Sequence, residues 1–176
     1  LKQKIKSILF LFYSPQLTDE DAEAFSFLVN QGVFKEKNTL QIDVGANIGI
    51  WTNMLLKELD ESSHLYAFEP LPKCNKILTK KFKKAIKKNK LKLFNCALSN
   101  EIGELKLKMF NDDPISPASY FSSTASHLNK LKYREIKVAL NRLDDLVEDE
   151  TKINFIKIDV EGHEMKAILG SMKTIK

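Results

Sequence analysis

Residues 39–59 read T-L-Q-I-D-V-G-A-N-I-G-I-W-T-N-M-L-L-K-E-L, and this stretch decides the fold. Its first part, residues 40–44, is a short apolar run containing Asp43, which is typical of a buried strand. Gly45 and Gly49 follow with Asn47 between them. Apolar residues then recur at helical spacing, at Trp51, Met54, Leu55 and Leu59. The stretch therefore predicts a strand, a glycine turn and a helix, with a carboxylate where the strand stops.

This order of elements suits the binding of a nucleoside-like ligand. A helix N-terminus presents unpaired N–H groups and partial positive charge, and glycines let a ligand approach the backbone closely. Asp43 can accept hydrogen bonds from an ammonium or a hydroxyl group. The pattern is neither the dinucleotide fingerprint G-x-G-x-x-G nor a P-loop, because no G-K-[ST] follows. The alternative is a tight strand-to-helix turn that binds nothing.

Length and composition indicate one ordinary globular domain. The chain has 176 residues, of which 43% are hydrophobic and 29% charged. Its two cysteines, Cys74 and Cys96, predict neither a disulfide framework nor a zinc site. We therefore expect a cytoplasmic protein.

The basic charge of the chain is local. Residues 73–92 contain ten lysines and no acid, and without those ten the balance is 18 basic against 23 acidic residues. Ile77, Leu78, Phe82, Ala85 and Ile86 recur at helical steps, which predicts an amphipathic helix with a lysine outer face. Nucleic acid or an anionic membrane would suit that face. We favour a solvated face, and expect no specific nucleic acid partner, because no aromatic or arginine residues are interleaved with the lysines.

The N-terminal part is divided into an extension, residues 1–16, and the start of the domain that fills residues 17–176. The apolar run at 8–13 is too short to span a bilayer, and a helix packed on the domain is favoured there. Residues 17–32 predict a helix, with Thr18 as N-cap and Gly32 just past its end.

Further strands are predicted along the chain, and several end in polar residues. Residues 65–69 end on Glu69 before Pro70, and residues 153–158 run into Asp159. A third strand is predicted at 91–98. Residues 104–110 and 133–140 alternate in polarity, which indicates an antiparallel insertion flanking a long loop at 111–127. We expect an α/β fold with a parallel core, in which Asp43 and Asp159 lie at the same end of the sheet.

Four motifs stand at these strand ends: D-V-G-A-N-I-G (43–49), F-E-P (68–70), A-L-S (97–99) and K-I-D-V-E-G-H-E (157–164). In this order and spacing they resemble the FkbM-type methyltransferases, which are class I enzymes that use S-adenosylmethionine. The segment L-N-R-L-D-D-L (140–146) also resembles the family's stretch before its fourth core strand. The resemblance covers about residues 17–170. It implies a Rossmann-like sheet with helices on both faces and an antiparallel β insertion, and the family's further C-terminal strands are expected to be missing here.

The resemblance also implies which residues meet S-adenosylmethionine. The glycine turn would line the methionine and ribose, Glu69 would hold the ribose hydroxyls, and residues 95–98 would border the adenine. The implied cofactor-binding set is Asp43, Gly45, Ala46, Asn47, Gly49, Glu69, Pro70, Asn95, Cys96, Ala97 and Asp159. The implied acceptor is a sugar or another small molecule with a hydroxyl group.

Transfer to an oxygen acceptor gains from a base near the reacting end, where the resemblance places Asp159 and Glu161. His163 and Glu161 are the two candidates for that base, and both stay open. Either could instead be structural, His163 as an exposed residue in the first turn of a helix and Glu161 as an acid near a helix N-terminus. No metal site is predicted, because these acids cluster on one turn without a second ligand group. The rival classes are a non-catalytic nucleoside-binding or interaction module and an oxidoreductase, which the absent dinucleotide fingerprint disfavours.

Overall fold

The computed structural model describes residues 8–11, 18–109, 119–121 and 133–175, with backbone alone for 8–11 and 119–121. Short 3₁₀ turns lie at Val33–Lys35 and Leu143–Asp145. The strands and helices follow in chain order: β1 Ile8–Leu11, α1 Asp19–Asn30, β2 Leu40–Val44, α2 Ile50–Glu58, β3 His64–Phe68, α3 Pro72–Lys81, α4 Lys83–Lys87, β4 Leu91–Phe94, β5 Ala97–Leu98, β6 Gly103–Met109, β7 Ser119–Phe121, β8 Arg134–Asn141, β9 Ile153–Ile158 and α5 Glu164–Leu169.

The main sheet has five parallel strands in the order β1-β9-β2-β3-β4. Val44 at the end of β2 pairs with Phe68 of β3 and with Ile158 of β9. The carboxyl ends of these three strands therefore meet at one edge of the sheet, which confirms the predicted parallel core and brings Asp43 and Asp159 to the same end.

Helices cover both faces of the main sheet, as the sequence predicts. On one face, α1, α2 and α3 bury apolar residues such as Phe25, Leu55 and Leu78 against β3 and β9. On the other face, Ala167 of α5 and Leu143 pack against the opposite sides of β2 and β9. Every residue of β2 and β9 is buried, including the polar side chains of Gln41, Asp43, Asn154 and Lys157.

The second sheet holds four strands in the order β5-β8-β6-β7. Strand β6 is antiparallel to both β7 and β8, which confirms the antiparallel insertion. Strand β7 comes from the predicted loop at 111–127, and its residues Tyr120 and Phe121 pair with Lys108 and Leu107. The rest of that predicted loop lies outside the described residues.

The expected N-terminal helix is wrong for residues 8–11. These residues form β1, which lies parallel to β9 with Phe10 opposite Lys157. An apolar run of this length does not distinguish strand from helix by periodicity, and here the edge of β9 offers backbone partners. The N-terminal segment thus contributes a strand to the main sheet.

The predicted third strand, 91–98, is two strands in different sheets. Strand β4 belongs to the main sheet and β5 to the second sheet. Between them, the side-chain amide of Asn95 donates to the carbonyl oxygens of Glu69 and Pro70, at 2.8 and 3.0 Å. These bonds hold the chain where it leaves one sheet for the other.

The predicted lysine helix is divided at Phe82, which has φ −106° and ψ 20° and separates α3 from α4. Phe82 is buried in the core at the point where the helix is interrupted, whereas the lysines on both sides of it are exposed.

Within the described part of the chain, no helix is both long and apolar enough to cross a membrane.

Candidate functional site

The glycine turn after β2 is held against the neighbouring strand ends. The N–H groups of Gly45 and Ala46 both donate to the carbonyl oxygen of Phe68, at 2.9 and 3.0 Å. Gly45 has φ +81°, and a Cβ placed on it would lie 1.9 Å from the carbonyl oxygen of Asp159. Only glycine permits this contact, so the turn after β2 packs directly against the turn after β9 at one edge of the sheet.

Glu69 fastens the glycine turn to the turn after β3. Its side chain is 4% exposed, and its oxygens accept from the N–H groups of Asn47 and Leu71, each at 2.8 Å. Burial raises the pKa of Glu69 to about 7, although both backbone hydrogen bonds act to lower it. Glu69 is therefore a buried carboxylate and is not a solvated charge at the strand end. Each carboxylate oxygen retains a second lone pair, which is the capacity that a ribose hydroxyl requires.

A buried lysine stands between the acids that end β2 and β9. Lys157 is 2% exposed, and its Nζ lies 3.3 Å from Asp43 Oδ1 and 3.8 Å from Asp159 Oδ2. The same ammonium donates to the carbonyl oxygen of Gly45 at 2.9 Å, while Thr52 donates to Asp43 Oδ2 at 2.6 Å. One cation thus faces two carboxylates and fixes the backbone of the glycine turn.

The turn after β9 is strained and carries titratable acids. Glu161 has φ +51°, an uncommon backbone conformation for a residue other than glycine, and Gly162 follows at φ +93°. Glu164 stabilises the turn by accepting from the N–H groups of Val160 and Gly162 at 3.2 and 3.0 Å. Strain of this kind persists where the surrounding structure holds it, and it is common at functional sites.

The acids of this turn bind protons more tightly than free carboxylates do. Burial, and secondly the charge of Asp159, raise the pKa of Glu161 to about 7. Burial raises the pKa of Asp159 to about 6 against the opposing effect of Lys157. Both side chains are therefore poised to exchange a proton near neutral pH.

His163 lies inside the molecule. Its side chain is 2% exposed, and Nε2 lies 3.2 Å from the hydroxyl of Ser99, which follows β5. Burial lowers the pKa of His163 to about 4, so the imidazole is neutral at physiological pH. The interpretation of His163 as an exposed helix residue is wrong. Its hydrogen bond joins the turn after β9 to the end of β5.

The residues expected to border adenine lie beside the turn after β3. Asn95 reaches across to the carbonyl oxygens of Glu69 and Pro70, as described above, whereas Cys96 and Ala97 are buried in the core at 4% and 3% exposure. The structure thus brings residues 95–97 to the same edge as Glu69.

Sequence reasoning missed Lys157 and Thr52. A lysine inside the buried run I-N-F-I-K-I, two residues before Asp159, is the signal that predicts an internal ion pair, because lysine is almost never fully buried unpaired. Thr52 gave no signal beyond its place in the first turn of α2.

Within the described ranges, no group of three or more His, Cys, Asp or Glu side chains is arranged to hold a metal ion.

Together, the fold and the site define a class of protein. The structure is an open α/β sheet in which a glycine turn and acids gather at the carboxyl ends of the central strands, where ligands bind in enzymes of this architecture. The family model of the Methyltransferase FkbM domain matches residues 43–176. The chain belongs to the FkbM methyltransferase domain family.

Individual relatives agree with this assignment. The chain is 26% identical over 162 residues to Methyltransferase sdnD of Sordaria araneosa, covering 76% of this chain and 60% of the relative. It is 24% identical over 143 residues to Methyltransferase 1 of Beauveria bassiana (strain ARSEF 2860), covering 73% of this chain and 57% of the relative. The chain therefore spans somewhat more than half the length of these two relatives.

A solved structure supports the fold. The crystal structure of methyltransferase FkbM from Methylobacillus flagellatus KT superposes with a TM-score of 0.54 at 17% identity, covering 82% of this chain and 32% of the other. At that identity the likeness supports the architecture, while the family rests on the sequence match.

Proposed function

We propose that this chain binds S-adenosylmethionine in a crevice at the carboxyl ends of the central strands, beside the two turns, and transfers its methyl group to a hydroxyl of a small molecule, such as a sugar. The observation that carries the proposal is the charge of the crevice. Asp43 and Asp159 share one cation, Lys157, and Glu69 adds a third carboxylate at the neighbouring strand end. Carboxylates in excess suit a ligand that carries positive charge on a sulfonium and an ammonium.

The residues present fit such a cofactor in two respects. Asp43 Oδ1 is buried and has no hydrogen-bond donor among the described residues, although it lies within ion-pair distance of Lys157. Glu69 retains acceptor capacity for hydroxyl groups at the neighbouring strand end. We assign the glycine turn with Asp43 to the amino acid part of the cofactor, Glu69 to its ribose, and residues 95–97 to its base.

When bound, S-adenosylmethionine supplies an electrophilic methyl group, and the chain must hold the acceptor oxygen in line with it. We assign Glu161 as the base that accepts the hydroxyl proton, because a pKa near 7 combines a substantial ionised fraction with useful basicity. His163 is a weaker candidate, because its pKa is about 4 and its Nε2 contacts Ser99. We assign it the positioning of the turn.

The test is methyl transfer itself. The protein is incubated with S-adenosylmethionine and a panel of sugars and other hydroxyl compounds, and products are analysed by mass spectrometry for one added methyl group per S-adenosylhomocysteine released. Matched acceptors with the same hydroxyl already methylated are the control, and these should not react. Binding of the cofactor without transfer to any hydroxyl compound would favour the non-catalytic nucleoside-binding module.

A further inference from the structure

The lysine-rich segment lies beside a groove that the proposed methyl transfer does not use. This groove, called here the β4 groove, runs along the outer edge of the main sheet, is open to solvent and has a volume of about 610 Å³. Its walls are formed by β3, β4 and the helices α3 and α4, including Tyr66, Asn75, Ile86, Leu91, Lys92 and Leu93. The volume is in the range of ligand-binding clefts.

The floor of the groove is an open strand edge. Strand β4 ends the main sheet, and among the described strands none pairs with its outer side. The carbonyl oxygens of Lys90 and Phe94 accept from the N–H groups of Leu65 and Glu69 of the β3 side. Backbone groups in a parallel pair alternate in direction, so those of Leu91 and Leu93 point away from β3 and into the groove. These are the groups that an added strand would bind.

A strand added to β4 would contact apolar side chains on one of its faces and a lysine on the other. On the helix face, Leu93 and Ile86 present partly buried apolar surface, and the buried Nδ2 of Asn75 has no acceptor among the described residues. On the other face, Lys92 is exposed and lies over the rings of Tyr66 and Phe94, at 5.2 and 5.0 Å. Because side chains of a strand alternate between faces, the complementary strand alternates apolar and acidic residues.

The positive charge around the groove also favours a strand that carries acidic residues. Six exposed lysines on α3, on α4 and at the C-cap of α4 form no ion pair with any acid that the structure describes: Lys76, Lys80, Lys83, Lys84, Lys87 and Lys88. We call these six residues the lysine surface. An edge lysine discourages pairing with neutral strands, and an antiparallel pair of two β4 edges would bring lysines together. A second copy of this chain is therefore disfavoured, whereas an acidic strand is attracted.

We propose that the β4 groove binds an extended acidic peptide segment of a partner protein, which adds to β4 as a further strand. Its acidic side chains face Lys92, its apolar side chains face Leu93 and Ile86, and the lysine surface attracts it from a distance. Nucleic acid fits less well, because the nearby aromatic rings of Tyr66 and Phe94 are covered by Lys92 and are not presented for base stacking.

The probe is a fluorescein-labelled octapeptide of alternating glutamate and valine, and the readout is fluorescence anisotropy. We compare Leu93→Pro with Leu93→Val, because proline removes the outward N–H and is tolerated on edge strands, whereas valine keeps that N–H. Lys92→Glu is compared with Lys166→Glu, which makes the same charge change on α5 at an exposed site. Leu93→Pro and Lys92→Glu should each weaken binding at least about tenfold, while their matched controls stay near the parent. Thermal unfolding checks that each variant folds.

A second probe tests the proposal on the unchanged protein. The same octapeptide with every backbone amide N-methylated keeps its charge but cannot donate to β4 in either strand direction, and it should bind at least about tenfold more weakly. Equal binding of the two peptides, or of the Leu93→Pro and Leu93→Val proteins, would overturn the proposal. So would displacement of the peptide by an equal concentration of oligothymidylate, which would show a general polyanion surface. Self-association that competes with the peptide, detected by sedimentation, would instead assign the edge to a second copy and also overturn it.

Discussion

The acids at the ends of β2 and β3 and those in the turn after β9 are all partly or fully buried, yet their settings differ. Asp43 is held by Thr52 and Lys157, and Glu69 by two backbone N–H groups. Asp159 and Glu161 lie on a strained turn and have raised pKa values of about 6 and about 7. The first pair acts as a frame that shapes the crevice, and the second pair is placed to exchange protons within it. This division is tested by variants that change stability or cofactor affinity through the first pair and variants that change turnover through the second pair.

The largest effect is expected at Lys157, which forms an ion pair with one acid of each group, Asp43 and Asp159. Lys157→Met leaves two buried carboxylates without their cation, so the free energy of unfolding should fall by about 3–5 kcal/mol. Urea unfolding at neutral pH measures the loss. Lys152→Met is the control, because its ion pair with Glu36 is exposed and should contribute at most about 1 kcal/mol. Equal stabilities of the two variants would mean that Lys157 does not hold the frame.

Glu161→Gln should affect turnover and leave cofactor binding nearly unchanged. The amide cannot accept the proton of the acceptor hydroxyl, so kcat should fall about 100-fold or more. Steady-state kinetics and S-adenosylhomocysteine titrations on the same preparation give the two quantities. Glu148→Gln, an exposed substitution outside the crevice, should keep parental turnover. A normal rate in Glu161→Gln together with a lost rate in His163→Ala would transfer the role of base to His163.

Glu69→Gln should weaken binding of S-adenosylhomocysteine. The amide offers one acceptor oxygen where the carboxylate offers two, so one backbone N–H or one ribose hydroxyl loses its partner, at a cost of about 1–3 kcal/mol. Isothermal titration measures the affinity. Glu58→Gln, which removes a surface ion pair with Lys35, should bind as the parent does. If Glu69→Gln binds with parental affinity, Glu69 holds only the glycine turn.

A smaller effect is expected from pH. The raised pKa of Glu69, about 7, means that the group becomes protonated as pH falls below neutrality, and a neutral carboxyl is a weaker acceptor for hydroxyl donors. Affinity for S-adenosylhomocysteine should therefore decrease as pH falls through about 7, and Glu69→Gln should flatten this dependence. Any pH dependence of the affinity that remains in Glu69→Gln reports the titration of Asp159 and Glu161, whose pKa values of about 6 and about 7 lie in the same range. Affinity that rises toward acidic pH would contradict the assignment.

The sequence predicted the frame well because its signals are local. Each strand before an acid is a buried run, and Gly45 and Gly49 mark a turn that needs positive φ. The contacts between turns were not predictable in this way. The closeness of Gly45 to the carbonyl oxygen of Asp159 depends on β2 and β9 being neighbours, although more than a hundred residues separate them.

Sequence reasoning also failed where tertiary structure decides between two local possibilities. Residues 8–11 suit either a helix or a strand, and pairing with β9 selects the strand. One interpretation of the sequence placed His163 as an exposed residue at a helix start, but the structure buries it against Ser99, which follows β5 of the second sheet. Burial lowers the pKa of His163 and raises that of Glu161, because desolvation favours the uncharged form of each group. Residue type gives these directions, but it does not reveal that the two side chains are buried.

The most direct test of the account is calorimetric titration of the protein with S-adenosylmethionine, S-adenosylhomocysteine and NAD under identical conditions. The crevice described here should bind both adenosylated amino acids at one site. It should not bind NAD measurably, because the glycine turn lacks the dinucleotide fingerprint. Binding of NAD in preference to both, or heats of dilution alone for S-adenosylmethionine and S-adenosylhomocysteine with a folded protein, would contradict the proposed cofactor site.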